Sequence, residues 1–264
     1  MDMKNRIAII TTAGISSRFN EGISEGEHVL KAIYHEGNEN NSLLYHMLLR
    51  LSDMDKIVLV AGYKEDDLRD YLKSALPEEM KSKISIVSNN HYKDWSSGYS
   101  LYLGIEKALE LNPESIIFAE GDLDIDDETF KKVCDSEKSV ITCNHEIINS
   151  KNAVIGYVNA SNCYRYAFST THGLVSIDED FGLLFNSGQI WKLTNMEHLR
   201  TANEMFTDYK ESGTNLIIIR DYFDKEDFDN VQLIDFQYWM NCNTREDYQK
   251  IKNHWEAQNE TFER

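Results

Sequence analysis

Arg6-Ile7-Ala8-Ile9-Ile10-Thr11-Thr12 runs straight into Ala13-Gly14-Ile15-Ser16-Ser17-Arg18, and the reading of that stretch decides the fold. The apolar run is rich in isoleucine, too short for a helix, and does not alternate with polar residues. Those features describe a strand buried on both faces. A turn of small residues ending on an arginine then follows. The same design recurs downstream: Lys56–Gly62 (KIVLVAG), Lys83–Ser88 (KISIVS) and Ser115–Ala119 (SIIFA) are further continuous apolar runs. Segments of helical period lie between them. These are Leu43, Leu44, Met47, Leu48 and Leu51 after the N-cap candidate Ser42, then Asp66 to Leu76, then Leu101, Ile105, Ala108 and Leu109. Apolar strands joined by crossover helices predict an α/β fold with a mostly parallel sheet covered on both faces.

The second half reads differently. Between Ser139 and Leu193 the runs shorten to SVITC, AVIGYV, YRYAF, GLVSI, GLLF and QIWKL. They predict antiparallel strands that extend the sheet and build a lid over one edge. The pattern then predicts a helix over Met196–Glu211, a strand over Asn215–Arg220 and a last strand over Val231–Cys242. Thr244-x-x-Asp247 fits a capping box for a closing helix, on which Tyr248, Ile251 and Trp255 share a face. No repeat, low-complexity tract or linker divides the chain, so one domain is expected.

Charge narrows the function classes. Lys plus Arg number 27 against 45 Asp plus Glu, a formal charge of −18. Such a surface repels nucleic acid and anionic membrane, so neither is an expected partner. A phosphate-bearing ligand would need local cations or a divalent metal. Cys134, Cys143, Cys163 and Cys242 form no CxxC pair, which argues against a zinc site or a disulfide framework. The N-terminal apolar run is too short for a signal peptide, no stretch could span a bilayer, and a cytoplasmic protein is expected.

In open α/β sheets, ligands bind beyond the carboxyl ends of the strands. Four polar clusters fall there. After the first strand, Thr12, Ala13, Gly14, Ser16 and Ser17 offer backbone N–H groups to a phosphate, Arg18 can fork onto its oxygens, and Lys31 follows. The Walker pattern GxxxxGK[ST] and the GxGxxG fingerprint are both absent. After the third strand come Asn89-Asn90-His91 and then Asp94-Trp95-Ser96-Ser97-Gly98-Tyr99-Ser100 opening a helix, where amides and hydroxyls can read a base edge or simply cap the helix. After the fourth come Glu120-Gly121-Asp122-Leu123-Asp124-Ile125-Asp126-Asp127. Carboxylates are hard oxygen ligands suited to Mg²⁺, with Asp122 best placed and Asp126 or Asp127 expected as helix caps. At the end of the final strand lies Asn241-Cys242-Asn243-Thr244, in which Asn243 could supply a second metal oxygen.

These residues carry a family resemblance. IITTAGISSRF resembles the LAAGxGxRM…PK signature loop of sugar-phosphate and related nucleotidyltransferases: Ala13, Gly14, Ser17 and Arg18 match, and Lys31 stands at the motif lysine. Gly98-Tyr99-Ser100-Leu101 resembles their base-reading helix start, GDLD their metal-binding aspartate segment, and NCNTREDY their closing NTPEDL element. Ser16 stands in place of a glycine, Leu30 in place of a proline, and Asn243 where many relatives have aspartate. The resemblance implies a Rossmann-like three-layer α/β/α sheet, the nucleoside-diphospho-sugar transferase fold, with a β-rich lid. Small cytidylyltransferases for phosphocholine or aminoethylphosphonate look nearest. It divides the domain into a nucleotide-binding half (1–138), a β-rich acceptor-binding lid region (139–235) and a closing strand and helix (236–264).

The activity implied is NMP transfer, with CTP favoured among NTPs, to a small phosphorylated or phosphonate acceptor. Mg²⁺ would bind at Asp122 and Asn243, with Arg18 and Lys31 as catalytic cations. Thr12, Ala13, Gly14, Ser16, Ser17, Asn89, Gly98, Ser100 and Glu120 would bind the nucleotide. Asp124, Tyr157, Trp191 and Trp239 would meet the acceptor, although such aromatics can equally be core. A homodimer is compatible with this reading. A metal-dependent glycosyltransferase using Asp122 and Asp124 as a DxD pair, and a catalytically inactive nucleotide-binding relative, are the alternatives.

Overall fold

The structure is a computed structural model that describes residues 5–149, 154–169 and 173–262. Four strands, β1 (Arg6–Thr11), β2 (Lys56–Ala61), β3 (Ile84–Ser88) and β4 (Ser115–Glu120), pair in parallel in the order β4-β1-β2-β3. Helices α1 (Leu43–Arg50), α2 (Glu65–Ala75), α3 (Glu78–Lys81) and α4 (Gly98–Leu109) connect them. Ser42 caps α1 as expected: its Oγ accepts from the Tyr45 N–H at 3.1 Å. Beyond β4 lie β5 (Leu123–Ile125), α5 (Asp127–Asp135), β6 (Ser139–Asn144), β7 (Ile155–Asn159), β8 (Tyr164–Ala167) and β9 (Phe181–Leu193). The chain then forms α6 (Met196–Met205), α7 (Asn215–Phe223), β10 (Val231–Asp235), β11 (Trp239–Asn241) and α8 (Arg245–Phe262).

The unbroken apolar runs are explained by two cores. Along β1, Ile7 and Ile9 point into one and Ala8 and Ile10 into the other, all fully buried. The first core is closed by α4, α6 and α7, the second by α1, α2 and α5. This is the three-layer α/β/α arrangement. A smaller cluster of Phe19, Leu43, Cys242, Tyr248, Ile251 and Trp255 seats α8 against the loop after β1. Arg245 strengthens that attachment, with its guanidinium 3.9 Å from the Tyr34 ring centre. The Thr244 capping box is formed: the Thr244 N–H donates to Asp247 Oδ2 at 2.9 Å and the Asp247 N–H to Thr244 Oγ1 at 3.2 Å.

β9 ties the lid to the sheet. Its second half lies antiparallel between β4 and β6, and its first half pairs with β7, which pairs in turn with β8. The segments GLLF and QIWKL, expected as two strands, are this one strand of 13 residues. The pairing register with β6 shifts next to Gln189, which holds a left-handed φ of 56°. Such a bulge bends a strand and re-aims a side chain.

Four further expectations are corrected. Asn215–Arg220 is not a strand but the start of α7. Its Leu-Ile-Ile-Ile run is buried on nearly every side among α4, α6 and β8, so it lacks the one-sided period that marks a helix. Gly173–Ile177 forms no strand. The helix from Met196 ends at Met205 and continues as a 3-10 turn over Phe206–Tyr209. Val231–Cys242 breaks into β10 and β11, which join different sheets. Met1–Lys4 and Ala153, the first residue of the AVIGYV run, lie outside the described residues.

Candidate active site

A cleft of about 330 Å³ opens where β1, β3 and β4 end. The loop after β1 forms one wall. Thr12 anchors it, donating from Oγ1 to the Val60 carbonyl at 3.0 Å and from its N–H to the same oxygen at 2.9 Å. Ala13, Gly14 and Ser16 line the cleft. Ser16 sits in the left-handed region at φ 55°. A serine at this glycine-like position gains an interaction in return: its Oγ accepts from the Lys31 N–H at 3.2 Å. The loop's conformation is thereby coupled to the position of Lys31.

The opposite wall is acidic. Lys31 Nζ lies 2.7 Å from Asp122 Oδ2, and both side chains are mostly buried. Asp122 Oδ1 is buried with no hydrogen-bond partner among the described residues. Glu120 stands beside it, with Oε1 accepting from Asn215 Nδ2 at 2.6 Å. Burial raises the Glu120 pKa to about 7, aided by the neighbouring Asp122 charge and opposed by the Asn215 hydrogen bond and Lys31. Gly121 makes the two walls meet: a Cβ there would come within 2.7 Å of Thr12 Cγ2. The third wall is polar and aromatic. Asn89 Nδ2 donates to Ser100 Oγ at 2.9 Å, and Tyr92 and Trp95 stand beside them.

The sequence-predicted residues divide sharply. Thr12, Ala13, Gly14, Ser16, Lys31, Asn89, Ser100, Glu120 and Asp122 share the cleft. Ser17 and Arg18 are exposed on the same loop but are not part of the cleft lining, and the Arg18 guanidinium has no partner among the described residues. Asn243 follows Cys242, whose N–H donates to the Asp122 carbonyl at 2.8 Å, so the closing segment is fastened to the aspartate turn. The Asn243 side chain makes no hydrogen bond among the described residues and does not line the cleft.

Five more of the expected residues do not line this cleft. Gly98 does not line the cleft. Its N–H donates to the Gly213 carbonyl at 3.1 Å and the space above its Cα is filled by Phe206, so its smallness serves packing. Asp124 is 1% exposed, 3.2 Å from Arg50 and accepting from Trp255 Nε1 at 3.0 Å, so it is a buried ion-pair member and not an acceptor ligand. It does not join Asp122 in a DxD pair. Trp191 is fully buried, stacked on Phe118 at 5.3 Å and donating to Tyr166. Trp239 is packed on the second core, its Nε1 donating to the Gly188 carbonyl at 2.7 Å. Tyr157 lies in the lid, its hydroxyl donating to Glu179 at 2.8 Å, and lines a separate cavity beside Phe168, Ser169 and Val175.

Sequence reasoning gave no role to Tyr92, Trp95 or Asn215, which the cleft includes. The first two sat within a stretch noted only for its polar residues. Asn215 was hidden by the expectation of a strand. Asn241 also stands out: it pairs with Leu123, next to Asp122, and its Oδ1 is buried without a partner among the described residues.

Among the described residues no three His, Cys, Asp or Glu side chains group to hold a metal. Mg²⁺, however, keeps several waters and relies on one or two carboxylates plus substrate phosphates. The unpartnered Oδ1 of Asp122 fits that requirement. No helix among the described residues is long and apolar enough to cross a membrane.

Comparison with known proteins agrees with this architecture. The inositol-1-phosphate CTP transferase from T. maritima is similar at 16% identity, over 92% of this chain and 91% of that one, with a TM-score of 0.62. CTP:phosphocholine cytidylyltransferase from Streptococcus pneumoniae is similar at 15% identity, over 95% and 99%, with a TM-score of 0.60. HddC from Yersinia pseudotuberculosis, solved with GMP-PN, gives 16% identity over 94% and 99% and a TM-score of 0.58. At such identities the likeness establishes the fold, that of the nucleotidyltransferases. No curated protein sequence matches the chain. A family model described as "Domain of unknown function (DUF6564)" matches residues 27–255, most of the chain, and the protein belongs to that family.

Proposed function

We propose that the protein is a nucleotidyltransferase that moves a nucleoside monophosphate from an NTP, CTP favoured, to a small phosphorylated or phosphonate acceptor. The observation that carries this reading is the convergence on one cleft of the loop after β1, Lys31, and the carboxylates after β4. An acceptor oxygen attacks the α-phosphorus, the bond from that phosphorus to the bridging oxygen breaks, and pyrophosphate leaves in line.

The chain's residues position the reactants and neutralise charge. Backbone N–H groups from Ala13 to Ser17 receive the outer phosphates, and the unpaired Arg18 guanidinium stands ready at the mouth of the loop. Lys31 meets the α-phosphate and the acceptor oxygen. Asp122, with its unpartnered Oδ1, would hold a divalent ion such as Mg²⁺, which would supply charge neutralisation at the phosphates when bound. Ser100 accepts from Asn89, which leaves its own proton for a base carbonyl. Tyr92 and Trp95 offer ring faces to the base. The preference for CTP is supported by two of the neighbours, an inositol-1-phosphate CTP transferase and a CTP:phosphocholine cytidylyltransferase.

Incubation with each NTP, Mg²⁺ and a panel of phosphorylated acceptors, with pyrophosphate as readout, tests the reading. Pyrophosphate released only when acceptor and NTP are both present is the expected result. Nucleotide binding without turnover against a broad panel would identify an inactive relative instead.

A further inference from the structure

A second cavity, about 170 Å³, adjoins the cleft and shares Ser97, Glu120 and Asn215 with it. It lies between the lid and the start of α7. Phe168 closes one side, and Gln189, carried by the β9 bulge, closes another. Among the described residues its lining contains no Lys, Arg or His, and Glu120 is the one ionisable residue. These residues offer a phosphate no cation, whereas the cleft end at Lys31 does. The second cavity is left for the other end of the molecule.

Two groups in the cavity wall are short of partners. Glu120 commits Oε1 to Asn215, while Oε2 has no hydrogen bond among the described residues. Thr214 Oγ1 is buried with no partner among them either. A carboxylate oxygen with no donor favours a cation that carries N–H groups. A quaternary ammonium is ordinarily recognised by several aromatic faces. Among the described residues only Phe168 supplies one here, and the unfilled oxygen asks for a hydrogen-bond donor.

We infer that this cavity binds a primary ammonium head group of the acceptor, with Glu120 as the specificity-determining residue, Asn215 orienting it and Thr214 completing the ammonium's hydrogen bonds. The inference rests on the nucleotidyltransferase reading and narrows its acceptor to a short aminoalkyl phosphate or phosphonate. It sets aside quaternary and polyol phosphates.

The test uses the full chain with NTP and Mg²⁺ and compares 2-aminoethyl phosphate, choline phosphate and glycerol 3-phosphate. The expected kcat/KM is at least about tenfold higher for 2-aminoethyl phosphate. Glu120→Gln should raise its KM roughly 10- to 100-fold and level the preference, with a smaller change for glycerol 3-phosphate. Thr214→Val, nearly isosteric, should raise the same KM several-fold and carries the test if Glu120→Gln fails to fold. Turnover that favours choline phosphate or glycerol 3-phosphate overturns the inference alone, as does a Glu120→Gln or Thr214→Val variant with undiminished preference. Nucleotide binding with no turnover on any acceptor overturns the activity reading and this assignment together.

Discussion

Lys31 Nζ and Asp122 Oδ2 lie 2.7 Å apart although 91 positions separate them in the chain. Among the described residues, the contact brings the only cation in the cleft lining against the carboxylate best placed for a metal. Removing either should leave the sheet intact and strip the cleft of its charge complement. Lys31→Ala and Asp122→Asn are each expected to lower turnover by about 10²–10³. Pyrophosphate release is the readout, with thermal unfolding as the control for folding. Near-normal turnover in either variant would refute the assigned roles.

Gly14 and Gly121 should respond oppositely to an added side chain. A Cβ on Gly14 meets nothing within 4 Å and points into open space beside the cleft. Gly14→Val is therefore expected to weaken nucleotide binding at least tenfold with little change in Tm. At Gly121 a Cβ would crowd Thr12 Cγ2 at 2.7 Å and the Thr11 carbonyl at 2.9 Å. Gly121→Ala should cost about 1–3 kcal/mol of stability. Nucleotide titration and denaturant melts separate the two outcomes.

Trp191 and Asp124 should behave as structural residues. Trp191 is fully buried between Phe118 and Tyr166, so Trp191→Ala should destabilise by about 3–5 kcal/mol. Asp124→Ala leaves Arg50 without its buried partner and should cost about 3–5 kcal/mol. If Asp124 were instead a metal ligand, its loss would abolish the metal dependence of nucleotide binding with little change in stability. Melts with and without Mg²⁺ and nucleotide distinguish the two.

His46 predicts an acid-sensitive stability. Its ring stacks on Trp255 at 3.8 Å. Burial, reinforced by the Arg50 charge and weakly opposed by Asp127, lowers its pKa from 6.5 to about 4. The unfolded chain therefore takes up this proton first. The contribution of the neutral ring is complete above about pH 6.5 and is lost as the pH falls towards 4. The loss amounts to about 1–3 kcal/mol across that window. His46→Gln should flatten the pH dependence of denaturant stability there, and an unchanged slope would exclude the histidine as its source.

Local pattern made much of the fold legible in advance. The apolar runs at β1, β2 and β4 are buried on both faces, which only a covered parallel sheet allows, β3 stands half-buried at the sheet edge, and the caps at Ser42, Asp126 and Thr244 need nothing beyond neighbouring residues. Because ligands in such sheets lie beyond the strand ends, the approximate positions of the loop after β1, of Asn89, and of Glu120 and Asp122 followed as well. Tertiary structure alone decided the rest. Leu216–Ile219 could be strand or helix until α4, α6 and β8 enclosed it. Trp191 and Asp124 have the chemistry of ligands but became core, because burial depends on what the whole chain packs against them. The cavity between the lid and α7 draws Glu120, Gln189 and Thr214 from three distant segments, and no local period encodes such a meeting. A sequence records each residue's own preference, whereas a site is a set of distances, and those come into being only when the sheet, the lid and α7 close together.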